Sequence, residues 1–163
     1  MQQGQPSRTA LGAAKHRAAH QVLERGAIFT DSLALRILGA DAEMAIRDAE
    51  KDPSKRGLRL FIAVRTRFAE DSLAAACPRG VRQLVVLGAG LDTYAYRTTL
   101  GKSLRIFEVD HPATQLWKRQ RLAEAAIPVP RALTFAPVDF ERETLADGLA
   151  AAGFDPAQQT FLT

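Results

Sequence analysis

The pattern of apolar runs after residue 80 most constrains the fold of this chain. Short apolar runs at 83–87, 104–109, 133–138 and from 160 onward alternate with segments of helical periodicity at 94–100, 112–126 and 142–152. Strands that are apolar on both faces and alternate with helices are typical of a parallel sheet covered by helices. The sequence therefore predicts an α/β fold with a mostly parallel sheet, of which four strands are present.

The first 80 residues predict a helical extension that precedes this sheet. Four helices are expected. The first spans 9–25, and the second follows a cap at Asp31 or Ser32 and ends at Gly39. The third spans 41–50, and the fourth is the long amphipathic segment 58–76. With 163 residues and 47% hydrophobic side chains, a single domain over 1–163 is expected, divided into a helical part at 1–80 and a sheet part at 81–163.

The last apolar run, Phe161-Leu162-Thr163, reads as the beginning of a buried strand. We therefore expect the domain to be incomplete at its C-terminus. An uncovered strand edge can pair with another chain, so self-association through the fourth strand is also expected.

Composition narrows the classes of partner. The 22 Lys and Arg exceed the 18 Asp and Glu by only four, and they are interleaved with acids rather than clustered with aromatic residues, so no nucleic-acid partner is expected. A single cysteine excludes an intramolecular disulfide and a multi-cysteine metal site. No apolar run approaches the roughly 20 residues of a membrane helix, and no signal-like segment is seen. These features predict a cytoplasmic protein without a membrane partner.

The strongest local motif is a buried strand that runs into a turn with two glycines, Gly88 and Gly90. Glycine allows the tight turn and the close backbone approach that a nucleotide ligand requires. The third glycine of the dinucleotide fingerprint is replaced by Thr93. Taken alone, this motif fits a cofactor turn and an ordinary strand-to-helix turn equally well.

Acidic residues end the next two apolar runs. Asp110 lies about 20 residues after the glycine turn, the spacing of an acid that accepts hydrogen bonds from ribose hydroxyls. Glu108, two positions earlier on the same face, is the alternative, although Asp110 is favoured because it is at the strand end. Asp139 ends the third run and is followed by Phe140, so that this pair fits an adenine ring. The alternative for Asp139 is a helix N-cap.

Histidines offer weaker candidates. His111 follows Asp110 directly, but a histidine before Pro112 at a helix start is more often structural or exposed to solvent. His16 and His20 have i, i+4 spacing without a third ligand, which argues against a metal site.

Six short motifs occur in order along nearly the whole chain: Ser7-Arg8-Thr9-Ala10, Ile28-Phe29-Thr30-Asp31, Arg65-Thr66-Arg67-Phe68, the strand and turn from Val86 to Thr93, Phe107-Glu108-Val109-Asp110-His111-Pro112, and Val138-Asp139-Phe140. Together they resemble the leucine carboxyl methyltransferase-like family, nearest its bacterial branch related to polyketide carboxyl O-methyltransferases. The resemblance implies a Rossmann-like class I methyltransferase fold, S-adenosyl-L-methionine as cofactor, and a carboxyl or hydroxyl group of a small molecule as acceptor.

The resemblance also assigns roles by position. Gly88 and Gly90 would lie beneath the methionine part of the cofactor, Asp110 would hold the ribose, and Asp139 with Phe140 would bind adenine. Arg65, with Arg67 as a neighbouring alternative, would pair with the cofactor carboxylate, as a bidentate guanidinium can. Because methyl transfer is an in-line displacement from an activated donor, no catalytic base and no metal are nominated.

Two other functions remain as alternatives to an O-methyltransferase. A nonenzymatic remnant or cofactor-binding module that lacks the acceptor site would share the same motifs. An NAD-dependent oxidoreductase is disfavoured by the missing third glycine and by the acid that follows the third strand.

Overall fold

The computed structural model describes residues 7–100 and 103–163. Its helices are α1 Arg8–Leu23, α2 Ala34–Leu38, α3 Asp41–Lys51, α4 Arg56–Ala76, α5 Tyr94–Arg97, α6 Pro112–Glu124 and α7 Leu145–Ala151. Its strands are β1 Gln83–Leu87, β2 Arg105–Asp110, β3 Leu133–Pro137 and β4 Thr160–Leu162, and 3-10 turns occupy Pro53–Lys55 and Cys77–Arg79.

The strands form one sheet in the order β3-β2-β1-β4, and every pairing is parallel. Val85 lies between Phe107 of β2 and Leu162 of β4, which fixes the register at the centre. Val85 and Phe107 have no exposed surface, because helices cover both faces of the sheet as a parallel sheet requires. The predicted α/β fold with a parallel sheet is confirmed, and each strand begins within one residue of its predicted position.

Helices pack on both faces of this sheet. Leu73 of α4 and residues of α5 cover the face that carries Leu84 and Ile106. Leu149 of α7 covers the opposite face, against Val85 and the other residues of its cluster. A third cluster joins α1, α2 and α6 through Ala14, Ile37 and Leu122, and it attaches the helical extension to the sheet.

Two predicted helices begin later than their sequence patterns indicate. The last one starts at Leu145 rather than at residue 142, because the Thr144 hydroxyl caps it by accepting from the amide of Asp147, 3.2 Å away. The second starts at Ala34 without a side-chain cap, because the Asp31 carboxylate lies in the interior and accepts instead from the amide of Leu33 and the hydroxyl of Thr93.

The long helix α4 buries only part of the apolar face that its pattern indicates. Arg59, Ile62 and Leu73 are buried, whereas Phe61 and Phe68 are 60% and 72% exposed. Among the described residues, no helix combines the length and the apolar character needed to cross a membrane. The expected self-association through β4 stays a prediction, as does the division into helical and sheet parts.

Candidate functional site

A cavity of about 500 Å³ opens at the carboxyl ends of the strands. The start of α1, the cavity-facing side of α4, the turn after β1 and the ends of β2 and β4 form its walls. The polar and charged lining residues are Ser7, Thr9, Arg17, Arg65, Thr66, Glu70, Asp92, Tyr94, Asp110 and Thr163. Open parallel sheets bind their ligands at this edge, so this cavity is the candidate site.

The two glycines of the turn have different roles. Both adopt the left-handed conformation, with φ of +60° at Gly88 and +46° at Gly90. A Cβ atom at Gly88 would have no neighbour within 4 Å, so this glycine presents bare backbone to the cavity. A Cβ atom at Gly90 would lie 2.6 Å from the Cβ of Ala10. Gly90 therefore allows α1 to pack directly on the turn, a role that its position in the motif did not indicate.

Asp110 lies at the end of β2 and lines the cavity. Its Oδ2 accepts from the amide of Gly90 at 2.7 Å, and its Oδ1 accepts from the amide of His111 at 2.7 Å. An ionised carboxylate has about four acceptor positions, so each oxygen retains capacity for a ligand. Two backbone amides thus fix the carboxylate in place at the mouth of the sheet.

Glu108, the alternative to Asp110, does not line the cavity. It is 1% exposed, and its Oε2 lies 2.7 Å from Nζ of Lys118, which is equally buried. The hydroxyl of Tyr96 donates to the same oxygen at 3.3 Å. Burial raises the pKa of Glu108 to about 7, although Lys118 acts in the opposite direction. The contacts of Glu108 are those of an internal residue that joins β2 to α5 and α6.

Arg65 projects from α4 and lines the cavity with an exposed side chain. Within residues 7–100 and 103–163 its guanidinium makes no hydrogen bond or ion pair. Arg67, the neighbouring alternative, donates to Asp71 at 2.6 Å and does not line the cavity. Between these two arginines, Arg65 is the one placed to meet a bound anion.

A network of largely buried charges, of which Arg17 and Glu70 also line the cavity, supports the turn. Arg17 of α1 donates to the carbonyl oxygen of Leu91 at 2.5 Å and lies 3.5 Å from the Asp31 carboxylate. Arg97 of α5 lies 3.5 Å from Asp31 and donates to both carboxylate oxygens of Glu70. Burial raises the pKa of Glu70, although Arg97 opposes this shift. The network ties α1, α4 and α5 to the turn.

Asp139 and Phe140 lie beyond β3, outside the cavity lining. The Asp139 carboxylate accepts from the amide of Glu141 at 3.1 Å and lies 4.0 Å from Nε2 of His111. It caps a turn rather than the next helix, whose cap is Thr144. The ring of Phe140 is 59% exposed, and so it is open to a planar ligand.

The histidines have structural contacts. Nδ1 of His111 accepts from the amide of Ala113 at 3.1 Å and caps α6. His20 is fully buried, and its Nδ1 lies 3.2 Å from Glu24 while the amide of Ile28 donates to its Nε2. Among the described residues, no three His, Cys, Asp or Glu side chains are grouped so that they could hold a metal ion.

The sequence model of the family described as "Leucine carboxyl methyltransferase" matches residues 10–163. The chain belongs to this family. Gly88, Asp110 and Arg65 of the candidate site, and the Asp139-Phe140 pair, all lie within the part that matches the leucine carboxyl methyltransferase family.

Several relatives in this family are provisionally named as S-adenosyl-L-methionine-dependent methyltransferases. YktD of Bacillus subtilis is 31% identical in an alignment of 188 positions, gaps included, that covers 99% of this chain and 61% of YktD. Relatives from Frankia alni and Streptomyces coelicolor are 38% and 39% identical, each covering 93% of this chain and 54% and 55% of the relative. The chain thus spans little more than half the length of these relatives.

Proposed function

We propose that this protein binds S-adenosyl-L-methionine and transfers its methyl group to a carboxyl or hydroxyl oxygen of a small molecule. The observation that carries the proposal is the cavity at the carboxyl ends of the strands, where the Gly88 turn and Asp110 meet. Family membership and the names of the relatives support the same chemistry.

Asp110 suits the ribose of this cofactor. Its carboxylate is held by two backbone amides and retains an acceptor position on each oxygen. Two neighbouring hydroxyl groups of a ribose can donate to these two oxygens together. No side chain at Gly88 obstructs the approach of the ligand to the turn.

Arg65 suits the carboxylate at the other end of the cofactor. A guanidinium presents two parallel N–H groups that match the geometry of a carboxylate. Because Arg65 has no hydrogen-bond or ion-pair partner among the described residues, both of these N–H groups are available to a ligand. The N-terminal end of α1 lines the same cavity through Ser7 and Thr9, and a helix N-terminus also favours negative charge.

The Asp139-Phe140 pair suits adenine. His111 connects this pair to the ribose acid, because its amide donates to Asp110 and its ring faces Asp139. The exposed ring of Phe140 can stack on a base, and the Asp139 carboxylate can accept from an amino group. In this proposal the cofactor extends from the cavity across His111.

The chain's own residues have a modest chemical task in this reaction. The bound cofactor supplies a methyl group that is already activated by a positively charged sulfur. The protein then aligns the acceptor oxygen with the methyl carbon and the sulfur and excludes water. A carboxylate acceptor is already ionised at neutral pH, and no side chain is needed to remove a proton from it.

Calorimetric titration of this chain with S-adenosyl-L-methionine and S-adenosyl-L-homocysteine tests the proposal. Asp110→Asn keeps one acceptor for the backbone amides but loses the charge, and we expect it to weaken binding by about 1–3 kcal/mol. Asp48→Asn, an equal charge change at an exposed position of α3, is the matched control and should bind as the wild type does.

Incubation with a cofactor that carries a labelled methyl group then separates the two functions. Label recovered in base-labile esters of small carboxylic acids, or in ethers, supports an O-methyltransferase. Binding without transfer to any such acceptor would favour the alternative, a cofactor-binding module that lacks the acceptor site. A folded chain that binds neither compound would exclude both.

A further inference from the structure

The charges that line the cavity are mostly paired with the protein itself. Arg17 is bound to Leu91 and Asp31, Glu70 is bound to Arg97, and Asp110 accepts from two backbone amides. Two charged lining residues of the described chain retain a group that makes no hydrogen bond and no ion pair with the protein. They are Arg65, whose whole guanidinium is available, and Asp92.

Asp92 is held firmly in the turn that follows β1. Its amide donates to the carbonyl oxygen of Ala89 at 2.7 Å, and its Oδ1 accepts from the amide of Tyr94 at 2.8 Å. Its Oδ2 has no hydrogen-bond or ion-pair partner within residues 7–100 and 103–163. The side chain is only partly exposed, and it lines the cavity. The fold therefore presents one fixed carboxylate oxygen to a bound ligand.

One available cation and one available carboxylate match the charges of an amino acid zwitterion. We propose that Asp92 binds the α-ammonium group of S-adenosyl-L-methionine, while Arg65 takes the carboxylate. The ammonium donates a charge-assisted hydrogen bond to Oδ2, the stronger class of hydrogen bond in proteins. This inference rests on the proposed function and adds a recognition element for the amino acid end of the cofactor.

Asp92→Asn is the decisive variant. An asparagine keeps an oxygen for the amide of Tyr94, so the turn is preserved while the negative charge is lost. We expect the wild-type chain to bind S-adenosyl-L-homocysteine about 10-fold or more tightly than the variant, in keeping with a hydrogen bond to a charged group. Asp48→Asn is again the matched control for the change in net charge.

Two further ligands distinguish the group that Asp92 contacts. For the thioether analogue in which hydrogen replaces the α-amino group, wild type and Asp92→Asn should bind alike. S-adenosyl-L-methionine and S-adenosyl-L-homocysteine share the ammonium, but only the former carries a charged sulfur. If Asp92 contacts the ammonium, Asp92→Asn should weaken the binding of both ligands by the same factor.

Each outcome decides for or against the assignment. A loss limited to S-adenosyl-L-methionine would mean that Asp92 faces the sulfur, and the inference would be wrong. Equal binding of S-adenosyl-L-homocysteine by wild type and Asp92→Asn would also overturn it while leaving the proposed function intact. A wild-type chain that binds none of these ligands would overturn the proposed function together with the inference.

Discussion

Gly88 and Gly90 share a left-handed backbone but have different surroundings. We predict that Gly90→Ala is the more destabilising substitution, by about 1–3 kcal/mol beyond the cost of Gly88→Ala. Both alanines are strained at positive φ, but only the methyl group at 90 meets the Cβ of Ala10, at 2.6 Å. Urea unfolding of the two variants measures the difference.

The contact with Ala10 can be tested separately. Ala10→Gly removes the atom that the new methyl group would meet, so it should be less destabilising in the Gly90→Ala chain than in the wild type. Equal unfolding free energies for Gly88→Ala and Gly90→Ala would show that backbone strain, and not the packing of α1, accounts for the loss.

Local patterns predicted some site residues and missed others for a physical reason. Gly88 follows one apolar run and Asp110 ends another, so both are predicted to lie at the carboxyl ends of strands. Because parallel sheets bind ligands at this edge, their place at the cavity follows from the sequence. Arg65 was expected from the family resemblance and also lines the cavity. Arg17 was missed because it meets Leu91 across 74 residues of chain, and no local pattern records such a contact. Asp139 and Phe140 keep their assignment to adenine as a prediction.

The helix α6 begins with a histidine cap, and its stability depends on one ring nitrogen. Nδ1 of His111 accepts from the amide of Ala113 at 3.1 Å, as the side chain of an N-cap residue does. We predict that His111→Ala lowers the free energy of unfolding by about 1 kcal/mol, whereas His111→Asn is nearly neutral because asparagine is a favourable N-cap. Thermal unfolding monitored by circular dichroism measures both.

The two variants also separate the cap from the contact with Asp139. Asparagine restores the acceptor for Ala113 but does not reproduce the imidazole that faces Asp139. If both variants lost the same stability, the cap would not be the important contact of His111.

Element types were easier to predict from the sequence than element ends. The strands follow from dense apolar runs, and β1 occupies the predicted residues 83–87. The last helix was placed three residues early, since the acids at 139, 141 and 143 resemble a first helical turn. In the structure Asp139 completes its own turn, and the later Thr144 supplies the cap. Backbone geometry decides whether Asp139 or Thr144 caps the helix, and the sequence pattern does not contain that information.

At the scale of the whole molecule, the buried pair of Glu108 and Lys118 makes stability depend on pH. The pKa of Glu108 is raised by burial from 4.5 to about 7 in the folded chain. An acid with a raised folded-state pKa adds stability that is present below its unfolded pKa and is lost as the pH rises through the folded pKa. The contribution of Glu108 to the free energy of unfolding should therefore fall between about pH 4.5 and pH 7.

Glu108→Gln removes this titration. We expect the unfolding free energy of the wild type, relative to this variant, to fall by about 1–3 kcal/mol from about pH 5 to about pH 8. Because glutamine leaves Lys118 as an unpaired buried charge, Glu108→Gln/Lys118→Met serves as the control without either charge. Parallel pH dependence in wild type and both variants would contradict the assignment.

The cavity wall joins segments that are far apart in the chain, and this has a consequence for biosynthesis. Ser7 and Thr9 contribute to the wall at one extreme of the described residues, and Phe161 and Thr163 at the other. A ribosome adds about 5–20 residues per second, so α1 emerges several seconds before β4, which lines the same cavity. Until the turn at Gly90 has been translated, a nascent chain exposes the surface of α1 that packs on it. A ligand that contacts both ends of this wall therefore gains its full set of these contacts only after β4 has been translated.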